Sequence, residues 1–170
     1  SESEIIKGIP FDAVFTVIKK SLNETGQWIL EGFATTNDLD VVGDVITKEA
    51  MEKSESDLLT NSTVLLNHDE TKPIGKVLED SVKEIKNKLG LFVKVLISKS
   101  EPKLWTKIRE KILNKFSIRG IVLKSKKLWS DEWQMMVNYV NAMKLLEVSV
   151  VSLPANPSAE AMNAYVSKSI

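Results

Sequence analysis

The feature that most constrains the fold of this chain is a succession of short runs of β-branched, aromatic and aliphatic residues, each ended by turn-forming residues. Runs of this kind are typical of β-strands. Most of them are separated by only a few residues, which favours hairpin connections over the helical crossovers of a parallel α/β sheet. We predict about eight strands, at Phe11–Lys19, Trp28–Thr35, Thr63–Asn67, Lys76–Ile85, Leu91–Ile97, Phe116–Leu123, Trp133–Val140 and Lys144–Leu153.

Two helices interrupt the strands. Thr47 is able to cap a short helix that runs through Asp57. The segment Leu104–Leu113 has apolar residues at helical spacing, and we expect Ser100 to cap it with Pro102 in its first turn. Both helices are short beside the strand-rich remainder, which places them at the periphery of a sheet.

The expected architecture is therefore mainly β. The residues after Ser158 predict one more short helix, through Val166, but strands still outnumber helices. The fold class that fits is α+β, mainly β, with a closed antiparallel β-barrel and peripheral helices. A chain of 170 residues with no internal repeat and no Gly/Ser linker is predicted to form one domain over residues 1–170.

Composition excludes several classes of protein. The 23 basic and 23 acidic residues cancel, so the basic excess of a nucleic-acid or membrane-surface protein is absent from the sequence. Without cysteine there is no disulfide scaffold, Cys-ligated zinc or thiol nucleophile, and one histidine cannot supply a multi-His zinc site. We expect a soluble chain without metal or cofactor, since no apolar run reaches membrane-spanning length and no secretion signal is present.

The one histidine, His68, follows an apolar predicted strand directly and precedes a polar turn containing Pro73 and Gly75. This places its imidazole at a strand end. An isolated histidine at such a position is more often a surface or capping group than a catalyst. As a general base it would need a partner, because imidazole alone attacks little.

Ser117 lies in a strand where alternate residues face opposite sides. Phe116 and Ile118 share one face, and Ser117 and Arg119 share the other, close to Gly120. The ordinary interpretation is a polar pair facing solvent. The catalytic interpretation makes Ser117 a nucleophile, with backbone N–H groups of Arg119 or Gly120 contributing to an oxyanion hole.

Glu147 stands in an otherwise apolar run, two residues before Ser149 on the same face. Burying a carboxylate is costly unless it is paired or hydrogen-bonded, so Glu147 is expected to have a partner. Two arrangements remain open on spacing alone. Glu147 is either the orienting acid of a triad with His68 or one half of a structural ion pair with Arg119 or a lysine.

Five segments in order resemble the prohead proteases of tailed bacteriophages, and the resemblance covers most of the chain. The closing run EVSVVSLPANP is the most specific of them. The family is in turn similar to the herpesvirus assemblins, which implies a closed β-barrel with surrounding helices. The segments are Gly32–Ile46, Leu65–Val77, Gly90–Ser98, Lys115–Val122 and Leu145–Ala159.

The resemblance implies a serine endopeptidase that acts inside the immature capsid, in the host cytoplasm. Its implied substrates are the scaffold, or the scaffolding part of the major capsid protein, and finally the protease itself. Because assemblins act as dimers, a homodimer is also among the expectations. There are two alternatives: a non-catalytic scaffold or decoration protein on the same fold, and an esterase or amidase for small substrates.

By motif, the resemblance assigns His68 as the base and Ser117 as the nucleophile. Assemblins have a second histidine as the third member, and this sequence has none, so Glu147 is expected in that place. Arg119 and Gly120 are weaker candidates for the oxyanion hole. Asp69 is an alternative third member, although adjacent residues of a strand face opposite ways, and Asp44 has no expected role.

Overall fold

The structure is a computed structural model that describes residues 3–5, 9–22, 26–39, 43–152 and 164–168, with residues 3–5, 9–22 and 164–168 described by their backbone alone. The described part contains ten strands and three helices. The helices are α1 (Lys48–Ser54), α2 (Asp57–Thr60) and α3 (Pro102–Arg109). The strands are β1 (Ser3–Ile5), β2 (Ile9–Leu22), β3 (Trp28–Thr36), β4 (Asp44–Ile46), β5 (Thr63–Leu66), β6 (Asp69–Ile85), β7 (Lys88–Ile97), β8 (Leu113–Ser130), β9 (Met135–Ser152) and β10 (Ala164–Lys168).

The mainly-β prediction is confirmed, and each predicted strand overlaps an observed one. Most of the observed strands are longer than predicted, because their pairing continues through polar residues that break the sequence pattern, whereas β5 ends one residue earlier than predicted. The runs predicted as separate strands at Trp133–Val140 and Lys144–Leu153 form one strand, β9, that bends at irregularities in its register with β8. Bulges of this kind let a long strand curve without ending it.

The strands form one mixed sheet in the order β1-β8-β2-β3-β7-β6-β5-β9-β4, with β10 paired to β2. The strand β8 also pairs with β9. The expectation of a wholly antiparallel sheet is wrong, because β4 and β5 both run parallel to β9. The expectation that the sheet closes into a barrel stays a prediction.

The helix predictions hold in part. Thr47 caps α1 as expected, with its side-chain oxygen accepting the N–H of Ala50 at 3.1 Å. The helix expected to begin at Ser100 instead has Glu101 at its N-cap, and the Ser100 hydroxyl hydrogen-bonds Ser98 at 2.8 Å. In the tail, where a helix was expected through Val166, residues 164–168 form β10, and residues 153–163 lie outside the described part.

A continuous apolar core lies beneath the sheet and anchors the strands that carry the candidate site. Phe116 and Ile118 of β8 and Val148 and Val150 of β9 are fully buried in it. Both strands thus have their apolar residues fixed on one face, so the residues between them must point to the other face. Within the described ranges, no helix is long and apolar enough to cross a membrane.

Candidate active site

The central strand of the site is β9, which lies between β8 and β5. Ser149 of β9 is opposite Ser117 of β8 on one side and opposite Leu65 of β5 on the other. Because β5 runs parallel to β9, the turn after β5 emerges beside Ser149 and Val150. The fold therefore brings the second residue of that turn to the polar face of β8.

That turn consists of Asn67 and His68, which join β5 to β6 with φ angles of 51° and 60°. Leu66 and Asp69 on either side of them are paired, so the loop is a two-residue hairpin. Positive φ at both central residues is the signature of a type I′ turn, a conformation that costs a non-glycine residue free energy. The backbone N–H of Asn67 is held by the carbonyl of Val150 at 3.1 Å, which anchors the turn on β9.

The imidazole of His68 lies between Ser117 and Glu147. Its Nε2 is 2.7 Å from Oγ of Ser117, and its Nδ1 is 2.5 Å from Oε1 of Glu147. A carboxylate only accepts hydrogen bonds, so Nδ1 carries a proton and donates to Glu147. In the neutral ring Nε2 is then an acceptor, and the Ser117 hydroxyl donates to it.

Glu147 reaches this position because β9 bulges immediately before it. Arg119 is opposite Glu147 and Gly120 is opposite Leu145, so Leu146 is left as an extra residue without a partner on β8. Such a bulge turns neighbouring side chains toward the same side of a sheet. Leu146 and Glu147 accordingly line the same cleft, of about 400 Å³.

The electrostatic surroundings keep Glu147 ionised. Burial raises the pKa of Glu147, but hydrogen bonds from His68 and Ser149, together with the charges of His68 and Arg119, outweigh burial and hold the pKa below its ordinary value. The side chain of Glu147 is 13% exposed, so these hydrogen bonds act in a largely desolvated place. An ionised acid is the form that accepts from Nδ1 and stabilises an imidazolium.

The two weaker candidates, Arg119 and Gly120, lie on β8 between β2 and β9. The guanidinium of Arg119 faces Glu147, with Nη1 at 3.9 Å from Oε2. The structure therefore places the Arg119 side chain beside Glu147, the last member of the hydrogen-bonded series that runs from Ser117 through His68 to Glu147. Gly120 lies at the register shift on β8.

The other acids considered from sequence have hydrogen-bond partners other than the imidazole. Asp69 turns toward its own strand, where Oδ1 accepts the N–H and the hydroxyl of Thr71 at 2.9 and 2.6 Å. Asp44 accepts a hydrogen bond at 3.0 Å from the side-chain amide of Asn138. Among the described residues no group of three or more acidic or histidine side chains is arranged to hold a metal ion.

Sequence reasoning gave no role to Ser149, although it noted that Ser149 shares a face with Glu147. The Ser149 hydroxyl accepts the backbone N–H of His68 at 3.0 Å and donates to Oε1 of Glu147 at 2.8 Å. The available signal was the two-residue spacing between Glu147 and Ser149. The contact with His68 depends on the parallel pairing of β5 with β9, which the sequence pattern does not reveal.

Chemically, a hydroxyl that donates to a neutral imidazole whose far nitrogen is held by a carboxylate can be deprotonated as it attacks an electrophilic carbon. Ser117 is 1% exposed and Oγ is already within hydrogen-bond distance of Nε2. The arrangement is suited to acyl transfer.

Comparisons with known proteins point to one family. Residues 16–169 match the family model described as caudovirus prohead serine protease. The prohead protease of Escherichia phage T5 is 31% identical over an alignment of 144 residues, and the match covers 80% of this chain and 65% of the T5 protein. The match thus spans slightly less than two thirds of the length of that curated relative.

A solved structure has the same fold. The bacteriophage T4 capsid assembly protease superposes with a TM-score of 0.56 over 91% of this chain and 98% of the T4 chain. The sequence identity is 16%, so this likeness concerns the fold alone.

Proposed function

The chain belongs to the caudovirus prohead serine protease family, and from this premise we propose that it is a serine endopeptidase of capsid maturation. The observation that carries the proposal is the hydrogen-bonded series from Ser117 through His68 to Glu147, with distances of 2.7 and 2.5 Å. Nucleophile, base and orienting acid of an acyl-transfer enzyme have this connectivity on several unrelated folds.

In the proposed mechanism Oγ of Ser117 attacks the carbonyl carbon of the scissile peptide bond. Nε2 of His68 takes the hydroxyl proton as the new C–O bond forms, and the carbonyl oxygen becomes an oxyanion. Glu147 stabilises the imidazolium through Nδ1. His68 then gives its Nε2 proton to the amide nitrogen, the C–N bond breaks, and the amine product leaves an acyl group on Ser117.

Hydrolysis of the acyl group repeats these steps with water. His68 removes a proton from the attacking water, and returns that proton to Oγ of Ser117 when the ester bond breaks. The oxyanion of each tetrahedral intermediate requires hydrogen-bond donors near Ser117. We propose backbone groups near Arg119 and Gly120 for this role, because these residues follow Ser117 on β8 at its register shift.

The proposed substrates follow from the relatives. One relative is a prohead protease and the structural neighbour is a capsid assembly protease. We propose that this chain cleaves the scaffold, or the scaffolding part of the major capsid protein, and itself, inside the immature capsid in the host cytoplasm. The homodimer implied by the assemblin resemblance remains a prediction.

We also propose that residues 1–170 form one protease domain whose sheet closes into a barrel. Support comes from β8, which pairs with β2 over one edge and with β9 over the other. Hydrogen exchange tests the closure, because the backbone amides of residues 115–118, which pair with β2 on one edge and with β9 on the other, should then exchange slowly. Fast exchange along either edge would contradict closure.

The function is tested by co-expressing the chain with the phage scaffold and capsid proteins and measuring the intact masses of all products. Cleavage products are expected with the wild-type chain and are expected to be absent with the Ser117→Ala variant. The same products with both chains would show that another protease made them. Uncleaved partners bound to a folded wild-type chain would support the non-catalytic scaffold or decoration function instead.

A further inference from the structure

Ser149 is a fully buried hydroxyl at the centre of the three strands that carry the candidate site. Its partner on β8 is Ser117, and its partner on β5 is Leu65, three residues before His68. A shift of Ser149 therefore moves the base relative to the nucleophile. Among the described strands, only β9 contacts both β8 and β5 in this way.

The hydrogen bonds of Ser149 have a fixed direction. The backbone N–H of His68 can only donate, so Oγ of Ser149 accepts it at 3.0 Å. The hydroxyl proton of Ser149 is then directed to Oε1 of Glu147, at 2.8 Å. The same Oε1 atom accepts a hydrogen bond from Nδ1 of His68. The Ser149 hydroxyl therefore contacts both the backbone of His68 and the carboxylate oxygen that accepts the His68–Glu147 hydrogen bond.

This contact also accounts for the backbone of His68. A non-glycine residue at a φ of 60° is strained and persists only where the surroundings hold it. The bond from the His68 N–H to Ser149 supplies part of that restraint, because it fixes the peptide group that sets the direction of the imidazole.

We propose that Ser149 is a positioning residue that holds the Glu147 carboxylate and the His68 backbone in register for proton transfer from Ser117. This inference rests on the proposed function, since it concerns how the proposed base and acid are aligned. Ser149 itself does not touch the reacting atoms. Its effect passes through Glu147 and His68.

The expected kinetic consequence is a loss of kcat in Ser149→Ala of roughly tenfold to one hundredfold, the range for losing a hydrogen bond to a charged group, with KM nearly unchanged. The acid limb of the kcat/KM profile should move to higher pH. The hydrogen bond from Ser149 helps to lower the pKa of Glu147, so a carboxylate that loses this donor binds a proton more readily. The other charged groups that line the cleft with Glu147 are Arg119 of β8, which forms an ion pair with it, and Glu70 of β6.

The matched control is Ser54→Ala in α1. Ser54 is also fully buried, and its hydroxyl donates a hydrogen bond of 3.1 Å to the carbonyl of Met51, away from the site. If the drop in kcat came simply from the loss of a buried hydroxyl, Ser54→Ala and Ser149→Ala would both show it. The proposal expects the drop in kcat and the shift of the acid limb in Ser149→Ala alone.

A second measurement does not depend on cleavage. His68 is the sole histidine, so the proton on Nδ1 gives one unambiguous imidazole signal in the proton NMR spectrum of Ser117→Ala. A short bond to a carboxylate places that signal far downfield. Adding Ser149→Ala should move it upfield or broaden it by exchange, whereas adding Ser54→Ala should leave it in place.

The proposal is overturned if Ser149→Ala retains the wild-type kcat and acid limb, or if the Nδ1 signal is unchanged by the substitution. A Ser149→Ala chain that failed to fold would also contradict it, by making the hydroxyl a structural group. If the wild-type chain cleaved nothing while the NMR signal responded as described, the positioning role would stand and the proposed function would fail.

Discussion

Arg119 and Glu147 are direct partners across the antiparallel strands β8 and β9, and a guanidinium nitrogen of Arg119 lies 3.9 Å from Oε2 of Glu147. The other carboxylate oxygen of Glu147, Oε1, accepts hydrogen bonds from Nδ1 of His68 and from the hydroxyl of Ser149. The two oxygens thus have separate partners. Arg119 acts on the charge of the acid, and His68 and Ser149 set its orientation.

Replacing Arg119 tests whether its side chain acts as an ion-pair partner of Glu147 or stabilises the oxyanion directly. The side chain is 42% exposed, so its ion pair with Glu147 is screened by solvent. We expect Arg119→Gln to lower kcat/KM by less than about tenfold, the range for a partly exposed ion pair. A side chain that stabilised the oxyanion directly would instead cost about 100- to 1,000-fold in kcat. Steady-state cleavage of one peptide by both chains distinguishes these outcomes.

Replacing Glu147 with Gln should reduce kcat by roughly 10³- to 10⁴-fold, because the amide is able to present a donor to Nδ1 and so favours the wrong imidazole tautomer. The fold should survive, since Gln has the shape of Glu. Single-turnover cleavage measures the effect, with Glu70→Gln in the same cleft as the control. A Glu147→Gln chain that cleaved at the wild-type rate would remove Glu147 from the proposed mechanism.

Asp80 of β6 gives a test of stability that is independent of catalysis. Its carboxylate is buried and accepts the N–H of Leu58 at 3.0 Å. Burial raises the pKa of Asp80 to about 6, and the nearby carboxylates of Asp57 and Glu55 add to the effect. The ordinary value is 3.8, so the folded chain holds this proton more tightly than the unfolded chain does.

The sign of the resulting pH dependence follows from linkage. Since the folded chain binds more protons between about pH 4 and pH 6, the contribution of Asp80 to stability falls as pH rises through that window. We expect Asp80→Asn to remove this dependence, so that the wild-type free energy of unfolding falls relative to the variant by roughly 2–3 kcal/mol from pH 4 to pH 7. Urea unfolding at several pH values measures it.

Glu79→Gln on the same strand is the control, because the contribution of Glu79 to stability changes with pH in the opposite direction to that of Asp80. The hydrogen bond from Lys83 lowers the pKa of Glu79, so its contribution is present at neutral pH and is lost on acidification. A pH dependence that is the same in wild-type and Asp80→Asn chains would show that Asp80 is not the titrating group.

Local patterns in the sequence predicted much of the fold. The alternation of Phe116 and Ile118 with Ser117 and Arg119 placed the two polar side chains on one face of β8, and both apolar residues are indeed fully buried. The cap at Thr47 was equally local. The parallel pairing of β5 with β9 was not predictable in this way, because it joins residues about 80 positions apart whose register no short pattern encodes.

The same limit applies to the site. The sequence indicated that Glu147 needed a partner, since a carboxylate stood in an apolar run, but spacing left His68 and Arg119 equally open. The structure places both beside it, on different oxygens. That division depends on the bulge at Leu146, which exists only when β9 is paired with β8.

The most direct test of the central proposal is covalent labelling of the purified chain with a fluorophosphonate, located by peptide mass spectrometry. A hydroxyl activated by His68 should be labelled at Ser117 alone, and labelling should be lost in His68→Ala while Ser54→Ala is labelled like wild type. Labelling of Ser117 that persisted without His68, or no labelling of a folded wild-type chain, would contradict a His68-activated nucleophile.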